Sequence, residues 1–115
     1  WDRLAERPDL IQLANQLHFR PFNGQHAQVP ALDARGNLTP EFIDWLEFAE
    51  RVLECWLQAA TPGRELFICP EQIGGAYYLS VFGDRWKDVQ EVKKEIDRVW
   101  KRQLRKWKPP RRQGS

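Results

Sequence analysis

Apolar residues recur along the chain with two different periods, and the changes of period divide it into alternating strands and helices. The first stretch is amphipathic but is interrupted by Pro8, which predicts that one helix ends there and that a single turn follows from Asp9. The stretch QLHFRPF then alternates apolar and polar side chains, which predicts a strand over residues 15–20. His18 and Arg20 would share the polar face of this strand.

A long polar stretch and then a strong helix start follow the first strand. Residues 23–38 show no sustained period, which predicts a loop of a length that is usually functional or disordered. Thr39 is suited to the N-cap and Pro40 to the first helical position, so a helix is predicted over residues 40–60. Its apolar stripe, with spacings of three and four, is formed by Phe42, Trp45, Leu46, Ala49, Val52, Leu53 and Trp56.

The order of strand, loop and helix is then repeated in the second half of the chain. The stretch RELFICPE predicts a strand over residues 65–70 whose continuous apolar core is typical of a parallel strand covered on both faces. Asp84 is predicted to cap a last amphipathic helix that ends before Pro109. We therefore predict an α/β fold in which the two strands pair in parallel with helix 40–60 crossing between them. Two strands do not make a self-sufficient sheet, so further strands are expected from elsewhere.

Length and composition fit one domain. The 115 residues are 42% hydrophobic and 30% charged, and six are tryptophan. No apolar run approaches the length of a membrane span, and the charged amino-terminal stretch predicts no signal peptide. Cys55 and Cys69 lack the spacing of a zinc site and are predicted to be buried free thiols, which favours a reducing, cytoplasmic compartment.

The net charge of +2 is distributed unevenly, because all 16 acidic residues precede position 100 while seven of the 18 basic residues follow it. Lys and Arg suit a helix C-terminus, so this excess can belong to a solvated helix end. It can equally contact nucleic acid, but we regard that as the less favoured interpretation because the remainder of the chain is acidic. Residues 1–108 are predicted to form the folded domain and residues 109–115 a basic flexible tail.

Polar side chains that can do chemistry stand at the ends of both predicted strands. His18 and Arg20 end the first strand, and Glu71 directly follows the second. In (β/α) barrels the active site lies at these carboxyl ends. Imidazole and carboxylate together suit divalent metals such as Mn²⁺ or Zn²⁺. The alternative is that Glu71 forms a surface salt bridge and that His18 is an ordinary strand histidine, and spacing alone favours this alternative.

Three stretches in order, LHFRPFNGQHAQVPALD, LTPEFIDWLEFAERVLECWL and FICPEQIGGAYYL, resemble the carboxy-terminal part of the xylose isomerase-like TIM barrels. These proteins are sugar isomerases and epimerases, and the resemblance covers roughly residues 9–104. It implies that this chain is the last two βα units of a (β/α)8 barrel. Gln16 departs from the family pattern, in which a histidine is usual there, and Gln72 and Ile73 replace a common Phe-Gly pair.

The resemblance also implies roles for particular residues. His18 and Glu71 would help to hold a divalent cation, Mn²⁺, Mg²⁺ or Zn²⁺, which polarises the oxygens of a sugar substrate. Arg20, His26 and Gln28 would bind that substrate. The remaining metal ligands and the acid and base groups of the family come from earlier strands, so this chain alone is expected to be inactive.

Two hypotheses about partners follow. The first is a barrel fragment that requires an amino-terminal barrel portion, or that associates with itself, before it can act on a small sugar. The second is a small non-enzymatic α/β interaction module that buries its Trp-rich helix faces against itself or another chain.

Overall fold

The computed structural model describes residues 6–22, 28–71 and 85–108. Two parallel strands alternate with helices, and a short helix precedes them. In chain order the elements are α1 (Pro8–Gln12), β1 (Gln16–Phe19), α2 (Pro40–Gln58), β2 (Phe67–Pro70) and α3 (Arg85–Lys106).

Helix α2 begins where the sequence predicts. The Thr39 hydroxyl accepts a hydrogen bond from the Phe42 amide at 3.1 Å and donates one to the Pro30 carbonyl at 2.6 Å. Pro40 occupies the first turn, where its missing N–H costs no helical hydrogen bond. The predicted apolar stripe is buried along its whole length, and the helix ends at Gln58. This helix is therefore the central element of the core.

Strands β1 and β2 pair in parallel, which confirms the predicted order of the sheet. The buried Phe19 faces the core, and Leu17 and Ile68 pack against it from the same side of the sheet. Helix α3 adds the buried residues Val92, Ile96 and Val99 to that core. The prediction that β2 is covered on both faces is wrong, because the Phe67 side chain is 63% exposed and the rest of the strand is only partly buried.

The amino-terminal segment differs from the prediction at one residue. Glu6 is helical and Arg7 is not, so an earlier helical stretch ends before Pro8 as predicted, and α1 begins at Pro8 rather than at Asp9 because proline fits the first position of a helix. Ile11 anchors this helix in the core, and the Gln12 amide donates to the Cys55 carbonyl at 3.3 Å. Cys55 and Cys69 are unpaired, as predicted, but both are half-buried rather than buried. Burial raises the pKa of the Cys55 thiol.

The described part of the predicted loop, residues 28–38, is held in place by one buried carboxylate. Asp88 of α3 is 2% exposed and accepts hydrogen bonds from the Ala31 and Leu32 amides at 3.0 to 3.1 Å. This pairing holds the residues from Gln28 to Ala31, all of them buried, against the helix. Gly36, at a φ of 82°, forms the turn that follows.

The fold is thus a small α/β arrangement with a two-stranded parallel sheet. The predicted cap at Asp84, the predicted stop at Pro109 and the predicted tail 109–115 lie outside the described residues.

Helices α2 and α3 are joined at one end by a charged cluster. The Arg102 guanidinium donates two hydrogen bonds to the Glu50 carboxylate, at 2.6 and 2.9 Å, and the Gln103 amide donates a third at 2.7 Å. These bonds hold the pKa of Glu50 below its ordinary value, with the Arg102 hydrogen bond as the largest cause.

We expect Glu50→Gln to lower the free energy of unfolding at neutral pH by about 1 kcal/mol, since Arg102 is partly solvated and the pair is screened. Because the folded-state pKa is lowered, this contribution is present above the ordinary pKa and is lost as the pH falls through the lowered value. Urea unfolding at a series of pH values checks this. The difference between the two proteins should shrink as the pH falls below the ordinary carboxyl pKa of 4.5, and a constant difference would contradict the assignment.

Candidate functional site

One face of the sheet is exposed, and we call it the open face. It carries Gln16 and His18 from β1 together with Phe67 and Cys69 from β2, because paired residues of parallel strands project on the same side. Gln16, His18 and Phe67 are exposed, while Cys69 is half-buried. The open face therefore presents polar groups on the side of the sheet opposite the core.

His18 and Glu71 meet at the carboxyl end of the open face. The Glu71 amide donates to the Phe19 carbonyl at 2.9 Å, which continues the ladder one residue past β2 and fixes the glutamate beside β1. The His18 Nδ1 lies 3.6 Å from the Glu71 Oε2. Their side chains are 58% and 39% exposed, so both are accessible from solvent.

The separation of these two atoms fits a shared metal ion. Two ligands that each lie about 2.1 Å from one cation are about 3.0 Å apart at an octahedral angle and about 3.4 Å apart at a tetrahedral one. The observed 3.6 Å is close to the tetrahedral value. It is too long for a hydrogen bond, so the pair makes only a weak electrostatic contact as it stands.

Gln16 connects the histidine to the cysteine. Its Nε2 lies 3.2 Å from the His18 Nε2 and donates to the Cys69 Sγ at 3.2 Å. An acceptor role for the His18 Nε2 corresponds to the tautomer with the ring proton on Nδ1. A metal at Nδ1 requires the other tautomer, in which Nε2–H donates to the Gln16 Oε1 after the amide rotates by half a turn. The contact between Gln16 and Cys69 could not be predicted from the sequence, because it depends on the register of the two strands.

Of the other residues assigned to substrate binding, Arg20 lines the same groove as His18. Arg20 directly follows β1 and is half-buried. Gln28 is fully buried and presents no surface to solvent. His26 lies outside the described residues. Their roles remain predictions.

Within residues 6–22, 28–71 and 85–108 no group of three or more His, Cys, Asp or Glu side chains is arranged to hold a metal ion. Among the described residues, His18 and Glu71 therefore offer two ligands. Among the described helices, none is long and apolar enough to cross a membrane.

Comparison with known proteins leaves the resemblance without independent support. No protein-family model, no curated protein and no solved structure matches the chain.

Proposed function

We propose that this chain is the carboxy-terminal portion of a divalent-metal-dependent isomerase or epimerase of the xylose isomerase-like kind, and that His18 and Glu71 supply two of the metal ligands. One observation carries the proposal: the His18 Nδ1 and the Glu71 Oε2 lie 3.6 Å apart at the carboxyl ends of two parallel strands. Active sites of (β/α) barrels are built at this end of the strands.

The arrangement of layers supports the same proposal. Helices α2 and α3 cover the apolar face of the sheet, as helices cover the outside of a barrel, and the open face would then correspond to its interior. A barrel of eight such units requires about 250 residues, so the other strands would come from another polypeptide or from outside these 115 residues.

The two ligands have separate tasks in this proposal. His18 would bind through a neutral Nδ1, and the Gln16 amide, after rotating by half a turn, would accept a hydrogen bond from the Nε2–H and so orient the ring. Glu71 supplies the negative charge that offsets the cation. When bound, the cation acts as a Lewis acid on the hydroxyl and carbonyl oxygens of a sugar. The chain alone is expected to bind metal weakly and to have no activity.

Calorimetric titration with Mn²⁺ and with Zn²⁺ tests the site without any need for turnover. We expect Glu71→Gln to weaken binding by about tenfold or more, because even the loss of an outer partner of a metal ligand typically costs 10- to 100-fold. His18→Gln should have a similar effect. Glu65→Gln is the matched control, since it removes an exposed carboxylate near the opposite end of β2 and should leave the affinity unchanged.

Equal affinity in the original protein and in Glu71→Gln would exclude the two-ligand site. That result would favour the alternative predicted from the sequence, a non-enzymatic interaction module.

A further inference from the structure

The surface that α3 presents to solvent is strongly basic. Among residues 86–108, eight Lys and Arg side chains are exposed, whereas Asp97 is the one exposed acid. Two further acids of this helix, Asp88 and Glu95, are only 2% and 6% exposed. Burial of the acids therefore leaves the outer face of α3 more positive than its sequence suggests.

Six of these cations form one line along the helix, which we call the basic row. They follow one another at spacings of three, four or seven residues, so they lie on one side of the helix. At a rise of about 1.5 Å per residue, the row is about 30 Å long. The basic row consists of Lys87, Lys94, Arg98, Lys101, Arg105 and Lys108.

The middle of the basic row is exposed even where it forms ion pairs. The side chains of Lys94, Arg98 and Lys101 are 73%, 56% and 66% exposed, and each pairs with an acid three or four residues earlier on α3. Exposed ion pairs of this kind contribute little to stability. These cations can therefore exchange a carboxylate for another anion at little cost.

The stability of the helix does not account for the whole row. A cation in the last turn, such as Arg105, interacts favourably with the helix dipole. Lys87 lies in the first turn of α3, where the same dipole repels a cation. Among the described residues, no carboxylate forms an ion pair with Lys87 or Arg105. A row that begins at Lys87 is therefore better explained by an external anion.

The exposed acids of the two long helices are concentrated on α2 rather than on α3. Helix α2 exposes four acids and a single cation, Arg51. The four acids are Glu41, Asp44, Glu47 and Glu54. At the level of the sequence, the acidic remainder of the chain argues against nucleic-acid binding. In the fold, acidic and basic side chains face solvent from separate helices, so this objection does not apply to the surface of α3.

We propose that the basic row binds the phosphate backbone of duplex DNA without recognising base sequence. A duplex carries one negative charge per about 1.7 Å of its axis, and each phosphate that Lys or Arg neutralises releases condensed counterions. A straight row of cations complements such a line of charge. A membrane is the less suitable partner, because membrane-binding helices insert an apolar face and that of α3 is buried in the core.

The basic row is independent of the proposed cation site. His18 and Glu71 lie at the open face of the sheet, whereas α3 packs on the core side. In a barrel this helix would remain on the outside, so the row would stay exposed. Metal titration and DNA titration therefore test different parts of the molecule.

Fluorescence anisotropy of a labelled duplex of about 20 base pairs tests the proposal. We expect a dissociation constant of roughly 1–100 µM at about 0.15 M salt, the range of non-specific DNA binding. If about four phosphates are neutralised, the logarithm of the affinity should fall with the logarithm of the salt concentration with a slope of about −3.6.

Lys87→Gln combined with Arg105→Gln removes two cations of the row. We expect this double variant to bind at least about tenfold more weakly at about 0.1 M salt and to reduce the slope by about two. Arg35→Gln combined with Arg51→Gln is the matched control, because it removes two exposed cations outside α3 and changes the net charge equally. The control should leave the slope unchanged, and circular dichroism shows that both variants are folded.

Polyglutamate is the second probe, because it carries negative charge without phosphate. Three results would each overturn the proposal: equal effects of the two double variants, no binding of the duplex at about 0.05 M salt and about 100 µM protein, or polyglutamate binding as tight as that of the duplex. The last result would assign the basic row to an acidic protein partner instead.

Discussion

Replacing Trp56 with alanine should lower the free energy of unfolding by about 4 kcal/mol, the range expected for the loss of a fully buried aromatic side chain. Trp56 is 1% exposed, and its indole N–H donates to the Ala14 carbonyl at 2.8 Å. The Trp100 ring packs against it at a centroid distance of 5.9 Å, and the Arg64 guanidinium lies 4.9 Å from the centre of the ring. One side chain thus joins α2 to α3 and to the turn before β1.

Two control variants separate packing from hydrogen bonding. Trp56→Phe keeps most of the apolar volume but removes one of the two donors to the Ala14 carbonyl, which also accepts from the Arg64 guanidinium at 3.1 Å, so we expect a loss of about 1 kcal/mol. Phe67→Ala removes an exposed ring and should cost less than about 1 kcal/mol. Urea denaturation followed by far-UV circular dichroism measures all three. A Trp56→Ala protein as stable as Phe67→Ala would contradict the central position of this tryptophan.

Replacing Asp88 with alanine should cost about 2–3 kcal/mol, because it leaves the buried Ala31 amide and the neighbouring Leu32 amide without an acceptor. Asp88→Asn retains one acceptor oxygen and should cost about half as much. The local effect is measurable by amide hydrogen exchange, in which Ala31 should lose protection in Asp88→Ala before the helices do.

Asp97→Ala serves as the control for this substitution, because it removes an exposed carboxylate on the same helix that pairs with Lys101. Its effect should not exceed about 0.5 kcal/mol. If Asp88→Ala were equally mild, or if the protection of Ala31 were unchanged, Asp88 would not anchor the segment.

The sequence predicted those parts of the fold that depend on local signals. The cap at Thr39 and the apolar stripe that follows identified α2, because both signals lie close together in the sequence. The observed helix ends two residues before the predicted end. The parallel pairing of β1 and β2 followed from the order of the elements. Local signals were sufficient for the helix, and the order of the elements was sufficient for the pairing of the strands.

Contacts between distant residues could not be predicted in the same way. Asp88 had the pattern of an ordinary helical acid, since the amides it accepts from lie 56 and 57 positions earlier. The apolar composition of β2 suggested burial on both faces. Burial depends on how many layers of helices and strands surround a strand, and composition carries no information about that number. For the candidate site, the sequence predicted that His18 and Glu71 lie close together. The contacts of the Gln16 side chain could not be predicted, because they depend on the register of β1 and β2.

Pro70 limits how far the sheet can grow. A sheet with two receptive edges adds molecules without end, and such growth leads to fibres and precipitation. The last residue of β2 is Pro70, so a further strand that added to the outer edge of β2 would lose a hydrogen bond there. A ring nitrogen without a hydrogen therefore disfavours growth of the sheet from β2.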